Sequence, residues 1–213
     1  MFKLDIVIPV YNEGENIVPT LQALSEHVHT PARVLICYDM DSDTTLPAVE
    51  AARPSVSIPV EFVKNPGRGP HAAVMAGFRA STAPYVLMMP ADDDYNASIL
   101  DTMVQKAEEG ADIVCASRFM RGGSMVGCPL LKAVLVRLGS GVLHYVARVP
   151  AHDVSNGFRL FSRRVIDEIP VESTQGFTYS IELLVKAHRL GLRIAEVPAR
   201  WIERTRGQSR FKV

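Results

Sequence analysis

The sequence predicts an α/β fold: a single domain on a mostly parallel sheet with helices on both faces. Two observations carry that expectation. Through the first half, short apolar runs alternate with segments whose apolar residues recur at helical spacing, and the turns between them are short. Several of those runs also end in carboxylate-rich turns, and open α/β sheets gather their ligands at the C-terminal ends of strands. A length of 213 residues suits one such domain with a sizeable core and is too short for two comfortable ones.

Taken in order, Leu4–Val10 reads as a strand, and Asn16 as the cap of a helix whose Ile17, Leu21, Leu24 and Val28 share one face. Arg33–Tyr38 is the second strand, followed by a short helix from Thr45 that ends before Pro54. Ile58–Val63 is a third strand and His71–Ser81 a third helix. Tyr85–Met89 is a buried strand that Pro90 stops by withholding a ladder donor. Ser98 with Asp101 resembles a capping box for a helix closed by Gly110, and Asp112–Ala116 returns as a strand. The second half is less regular. Arg121-Gly122-Gly123-Ser124 reads as a flexible loop, Pro129 to Val146 as a helix and Phe158–Phe161 as extended. Tyr179–Leu190 is a helix stopped by Gly191, and Leu192–Val197 a last strand. No internal repeat, low-complexity segment or linker divides the chain.

Composition excludes some classes. The three cysteines, Cys37, Cys115 and Cys128, are odd in number and too scattered for a zinc site, so a reduced, cytoplasmic setting is expected. No signal peptide is expected, because Met1-Phe2-Lys3-Leu4-Asp5 leads directly into a strand, and no membrane span, because Lys132, Arg137, His144 and Arg148 interrupt the longest apolar region. The net charge of +0 hides an asymmetry: residues 1–110 hold 7 Lys+Arg against 15 Asp+Glu, and the remainder is correspondingly basic. An acidic half suits a cation and a basic half an anionic partner. Arg204, Arg206, Arg210 and Lys212 lack interleaved aromatics beyond Phe211, and the chain is far from the basic range of nucleic-acid binders, so no nucleic acid is expected.

The densest chemistry follows the Tyr85–Met89 strand, at Asp92-Asp93-Asp94. Three adjacent like charges repel, and a divalent cation relieves that repulsion. Hard carboxylate oxygens suit Mg²⁺ or Mn²⁺, ions that commonly hold a pyrophosphate. The plain alternative is an acidic turn capping the next helix. The first strand ends in Pro9-Val10-Tyr11-Asn12-Glu13, where Tyr11 can stack on a base and Glu13 accept from its amino or imino groups. A carboxylate at a helix start is also favoured by the macrodipole alone. After the second strand, Asp39 is placed for a base or ribose hydroxyl, and Asp43 for capping the next helix. Lys64-Asn65-Pro66-Gly67-Arg68-Gly69 can cradle a phosphate on its amides, with Arg68 supplying charge, but it lacks the Gly-Lys-Ser/Thr ending of a P-loop. The 129–149 helix is either core or an amphipathic helix at a membrane surface. His71, His144, His152 and His188 show no metal spacing.

Together these segments resemble the family-two glycosyltransferases of the GT-A, Rossmann-like fold. Ala116-Ser117-Arg118-Phe119, Ser155-Asn156-Gly157-Phe158-Arg159 and the stretch from Glu203 to Arg210 look like the polyprenol-phosphate sugar synthases, the dolichol-phosphate mannosyltransferase branch. That resemblance implies a donor half over residues 1–116 and an acceptor half over 117–213. Pro9, Tyr11, Glu13 and Asp39 would hold the nucleoside of a GDP- or UDP-sugar, and Asp92 with Asp94 the metal and pyrophosphate. Arg118, Arg204 and Arg210 would gather phosphates, and Asp153 would lie close to the reacting sugar. The implied reaction is inverting transfer of a hexose to a polyprenol phosphate, at a membrane surface or beside a membrane partner subunit. The family's usual Asp-Ala-Asp is Pro90-Ala91-Asp92 here, so Asp94 is expected to replace the missing carboxylate; Tyr38 and Met40 also stand where Asp and Gly are usual. Alternatives are a family-two transferase with another acceptor and a non-catalytic nucleotide-sugar-binding protein. A nucleotidyltransferase is disfavoured, because its glycine-rich loop would stand where Tyr11-Asn12-Glu13 is found.

Overall fold

The computed structural model describes residues 1–146 and 148–203. Its main sheet has seven strands: β1 (Leu4–Pro9), β2 (Ala32–Tyr38), β3 (Val60–Lys64), β4 (Tyr85–Met88), β5 (Ile113–Ser117), β7 (Arg159–Ser162) and β8 (Ile194–Pro198). They lie in the order β3-β2-β1-β4-β7-β5-β8. β1 runs parallel to β2 and β4, β2 to β3, and β5 to β8. β7 is antiparallel to both neighbours, β4 and β5. The expected mostly parallel sheet therefore holds, with one reversed strand inside it. A second, two-stranded sheet pairs β6 (Ser124–Val126) with β9 (Arg200–Ile202) in parallel.

Both faces of the main sheet are covered, so its central strands are apolar on both sides. On one face Ile6, Ile8, Val34 and Ile36 pack with Ile17, Leu21 and Leu24 of α1 (Gly14–His27) and with Met103 and Val104 of α4 (Leu100–Glu108). On the other, Val7, Leu35 and Cys37 meet Val74 and Phe78 of α3 (Gly69–Ala80) and Leu183 and Leu184 of α7 (Thr178–Arg189). Alternation along each strand sends successive residues to opposite cores. α2 (Thr45–Ala52) joins the α1 layer through Val49 and α6 (Arg163–Glu168) the α3 layer through Val165, and Gly110 and Gly191, at φ 98° and 72°, follow the helices they were expected to stop.

Two caps differ from expectation. α1 begins at Gly14, so Asn16 lies inside it and its Nδ2 donates to Glu13 Oε2 at 2.7 Å. Asp101 does not form a capping box with Ser98. Its carboxylate instead accepts from the backbone N–H groups of His29 and Thr30, each at 3.0 Å, and so ties α4 to the loop before β2. In both cases a long-range or reversed partner outcompeted the local cap. The expected 121–124 loop yields β6 at Ser124. The 129–146 segment forms α5 (Leu130–Tyr145), whose Leu130, Leu131, Leu135, Leu138, Val142 and Tyr145 are exposed, so it is not a core helix.

Candidate active site

β1, β2 and β4 are parallel neighbours, so their C-terminal ends open onto one edge. The loops there are latched together by side chains. Asn12, in the left-handed region at φ 55°, donates its N–H to both oxygens of Asp43 at 3.0 Å and accepts from Thr44 N at 3.1 Å. Asp43 is buried and also accepts the N–H of Thr45, the first residue of α2, at 2.8 Å, as its capping role required. Glu13 N donates to Thr45 Oγ1 at 2.9 Å, while Tyr11 stays 42% exposed at the rim beside Pro9. The loops expected to hold a nucleoside are thus one braced unit.

Asp39 has work that sequence alone did not show. Its carboxylate accepts from Asn65 Nδ2 and from Gly69 N, both at 2.8 Å, and Asn65 Oδ1 accepts Gly67 N at 2.9 Å. Two amides of the glycine-rich loop are therefore taken by Asp39 and Asn65. The expectation that these amides cradle a phosphate is corrected accordingly, because they have no donor left to give. Arg68 itself is exposed.

After β4 the three carboxylates take different directions. Asp93 is 5% exposed and turned inward, where both its oxygens accept from Asn96 Nδ2 at 2.9 Å. Burial, with the flanking Asp92 and Asp94 charges adding to it against the Asn96 hydrogen bonds, pushes its carboxyl up to about 7. Asp92 is half-buried and Asp94 exposed. Among the described residues no group of three His, Cys, Asp or Glu side chains could hold a metal alone. Asp92 and Asp94 nevertheless suit Mg²⁺ or Mn²⁺, ions commonly bound by one or two carboxylates with water and substrate phosphate completing the shell. Asp93 does not belong to that set.

Asp153, expected close to the reacting sugar, is paired with Arg118. It is wholly buried, and its Oδ2 and Oδ1 accept from Arg118 Nε at 2.6 Å and Nη2 at 2.8 Å. Arg118 N, Ser155 Oγ and Asn156 N fill its remaining acceptor capacity. The same bidentate pair occupies much of the guanidinium expected to gather phosphate; Arg118 also donates to Ser155 Oγ at 2.7 Å and faces the Phe119 ring. A cleft of about 240 Å³ lies beside it, lined by Ser124, Met125, Val134 and Arg137 among others. A larger cavity of about 590 Å³, lined by Phe78, Ser81 and Arg163, sits at the C-terminal end of α3. α3 runs against the strands, so that cavity is at the opposite edge of the sheet and away from the carboxylate turn. Arg204 and Arg210 lie outside the described residues.

The glycosyl transferase family 2 model matches residues 5–170. The chain belongs to that family. Within glycosyl transferase family 2 it is 30% identical to the undecaprenyl-phosphate mannosyltransferase of Micrococcus luteus, over 96% of this chain and 86% of that protein. It is 26% identical to the polyprenol monophosphomannose synthase of Mycolicibacterium smegmatis, over 97% of this chain and 80% of that protein. Among solved structures it resembles glucosyl-3-phosphoglycerate synthase from Mycobacterium tuberculosis in complex with Mn²⁺, UDP and glucosyl-3-phosphoglycerate. The TM-score is 0.72 and the identity 17%, over 97% of this chain and 72% of that one. That likeness establishes the GT-A arrangement, and it corrects the narrower expectation. The same architecture serves a synthase whose product carries phosphoglycerate, so membership of the polyprenol-phosphate branch, and a polyprenol phosphate as partner, do not follow from the fold and the order of motifs.

Proposed function

We propose that this chain is a metal-assisted hexosyltransferase that takes a nucleotide-diphosphate sugar, UDP-hexose foremost, and passes the sugar to a small phosphorylated acceptor of the phosphoglycerate kind. The observation that carries the reading is the split carboxylate turn after β4. Asp93 is sequestered while Asp92 and Asp94 remain on the side open to solvent, at the edge where the Tyr11–Glu13 and Asp39 loops also end. Residues 1–116 act as the donor half and 117–213 as the acceptor half.

In this reading Asp92 and Asp94 hold Mg²⁺ or Mn²⁺, which when bound neutralises charge developing on the leaving diphosphate. Tyr11 offers a ring to the base. Pro9 and Glu13 border the nucleoside, and Asp39 holds the glycine-rich loop in shape from within. The anomeric C–O bond to the diphosphate breaks and a new one forms to an acceptor oxygen. Asp153 takes no proton in that step, because its oxygens are already accepting from Arg118, Ser155 and Asn156. Its part is to set the Arg118 guanidinium at the mouth of the 240 Å³ cleft, where Arg137 adds a second positive charge for an anionic acceptor.

The place of work is a separate matter, and α5 bears on it. Residues 131, 135, 138, 142 and 145 form one exposed apolar stripe. The forty residues 113–152 contain five Lys and Arg and no Asp or Glu. An apolar stripe in an acid-free, cationic stretch complements an anionic lipid surface; a second copy would bring cation against cation. No described helix is long and apolar enough to cross a membrane. Peripheral attachment through α5 is the arrangement these features support.

The test is a panel of UDP- and GDP-hexoses against 3-phosphoglycerate, glycerol 3-phosphate and a short polyprenol phosphate, with products weighed by mass spectrometry. A phosphorylated three-carbon glycoside from UDP-hexose is the expected product. Exclusive transfer to the polyprenol phosphate overturns the acceptor assignment, and binding of donor with no turnover under any condition leaves only a sugar-nucleotide-binding protein.

A further inference from the structure

The carboxylate turn is joined to the small β6–β9 sheet through one side chain, Asn96. It is 2% exposed, and all its hydrogen-bonding groups are engaged. Its Nδ2 donates to both Asp93 oxygens at 2.9 Å and to Arg200 O at 2.8 Å, and its Oδ1 accepts Arg200 N at 3.0 Å. The carboxamide thus pairs with Arg200 of β9 as a neighbouring strand would. One residue earlier, Tyr95 Oη accepts the N–H of Ile202 at 3.3 Å. β9 is therefore held by β6 and by the side chains of the turn. β6 in turn rests against the Arg118 segment. A side chain at Gly123 would meet Ser117 O at 2.4 Å, and Ala199 N donates to Ser117 O at 2.9 Å. Hydrogen bonds thus lead from the acidic turn through Asn96 to Arg200, and from the adjoining Ala199 to Ser117, the chain neighbour of Arg118 in the Arg118–Asp153 pair.

We propose that Asn96 is a positioning residue that couples metal–nucleotide loading at the acidic turn to the acceptor side of the molecule. The proposal rests on the donor reading above. A cation held by Asp92 and Asp94 would fix the turn on both sides of Asp93, and with it the Asp93–Asn96 contact. The same Asn96 amide grips Arg200, so the gain passes to β9. Coupling of this kind is reciprocal: whatever orders β9 and β6 on the acceptor side tightens metal–nucleotide binding by the same factor.

Residue-resolved amide exchange by NMR tests this in the full chain, with Mg²⁺–UDP as the ligand and calorimetry to measure its binding. In the wild type, Mg²⁺–UDP should slow exchange of the Arg200 and Ile202 amides by at least about tenfold. In Asn96→Ala that ligand-linked protection should vanish at Arg200, and Mg²⁺–UDP affinity should fall by about the same tenfold factor. A merely structural role would lower protection with and without ligand alike. Tyr95→Phe deletes a single hydroxyl, remains folded, and should lose protection at Ile202 while keeping the ligand response at Arg200. Wild-type binding of Mg²⁺–UDP without any change at Arg200 overturns the coupling and leaves the donor reading intact, as does an Asn96→Ala protein that responds like wild type. If Asn96→Ala does not fold, loss of the Arg200 response in Tyr95→Phe overturns the assignment to Asn96, and its persistence upholds it. Absence of any binding heat in the wild type sinks the donor reading, and the coupling with it.

Discussion

Asp92 and Asp153 both stand in motifs of the chain, and their surroundings give them opposite work. Asp153 is sealed under a bidentate guanidinium, so removing Arg118 strands a buried charge. Arg118→Ala should therefore cost about 3–5 kcal/mol in urea unfolding. Asp153→Asn in the Arg118→Ala background should recover part of that loss, because the two residues act as one unit. Asp92, by contrast, lies in a cluster of like charges, and Asp92→Ala should leave the unfolding midpoint unchanged or slightly raised. The carboxylate turn itself was legible, since three adjacent acids after a buried strand have few structural uses. The latches were not. Nothing in sequence separates Asn12, Asn65 and Asn96 from ordinary turn residues, and Asn96 finds its partner more than a hundred residues away at Arg200. The Asp153–Arg118 pair was hidden for a related reason: a motif names a residue, but only packing shows which way its carboxylate faces.

At the scale of elements, strands β1 to β5 and helices α1 to α5 and α7 were legible because apolar periodicity marks them over four to sixteen residues. β6 and β9 were not, at three residues each, since each exists by pairing with the other. The reversal of β7 was equally hidden, because an apolar run does not encode the direction of its neighbours. α7 supplies a pH test. Burial pushes the Glu182 carboxyl up, but Lys186 and the N–H groups of Glu172 and Ser173 outweigh it and hold the group down at about 2. A carboxyl depressed on folding contributes stability above its unfolded value of 4.5, and that contribution is lost as pH falls toward 2. Glu182→Gln should thus destabilise at pH 6 and converge on wild type near pH 2, as followed by thermal melts across that range. For α5, Leu135→Asp with Leu138→Asp should reduce co-sedimentation with anionic vesicles at least about tenfold without lowering Tm, as both side chains are exposed. Unchanged sedimentation would remove the membrane from the account.

For the whole molecule, the sequence signals converge on the donor side because the carboxylate turn and the loops after β1 and β2 end on one edge of the sheet. Relatives at 26% and 30% identity are named for polyprenol- and undecaprenyl-phosphate mannose transfer, while a similar fold holds glucosyl-3-phosphoglycerate, so the fold does not say what receives the sugar. The central claim is that the Asp92 turn activates a sugar nucleotide through a divalent cation. UDP release from UDP-glucose in the presence of 3-phosphoglycerate, measured with Mn²⁺ and with excess chelator for wild type and Asp92→Ala, tests it most directly. Turnover should fall at least about a hundredfold both on chelation and in the folded Asp92→Ala protein; turnover that survives either change would contradict it.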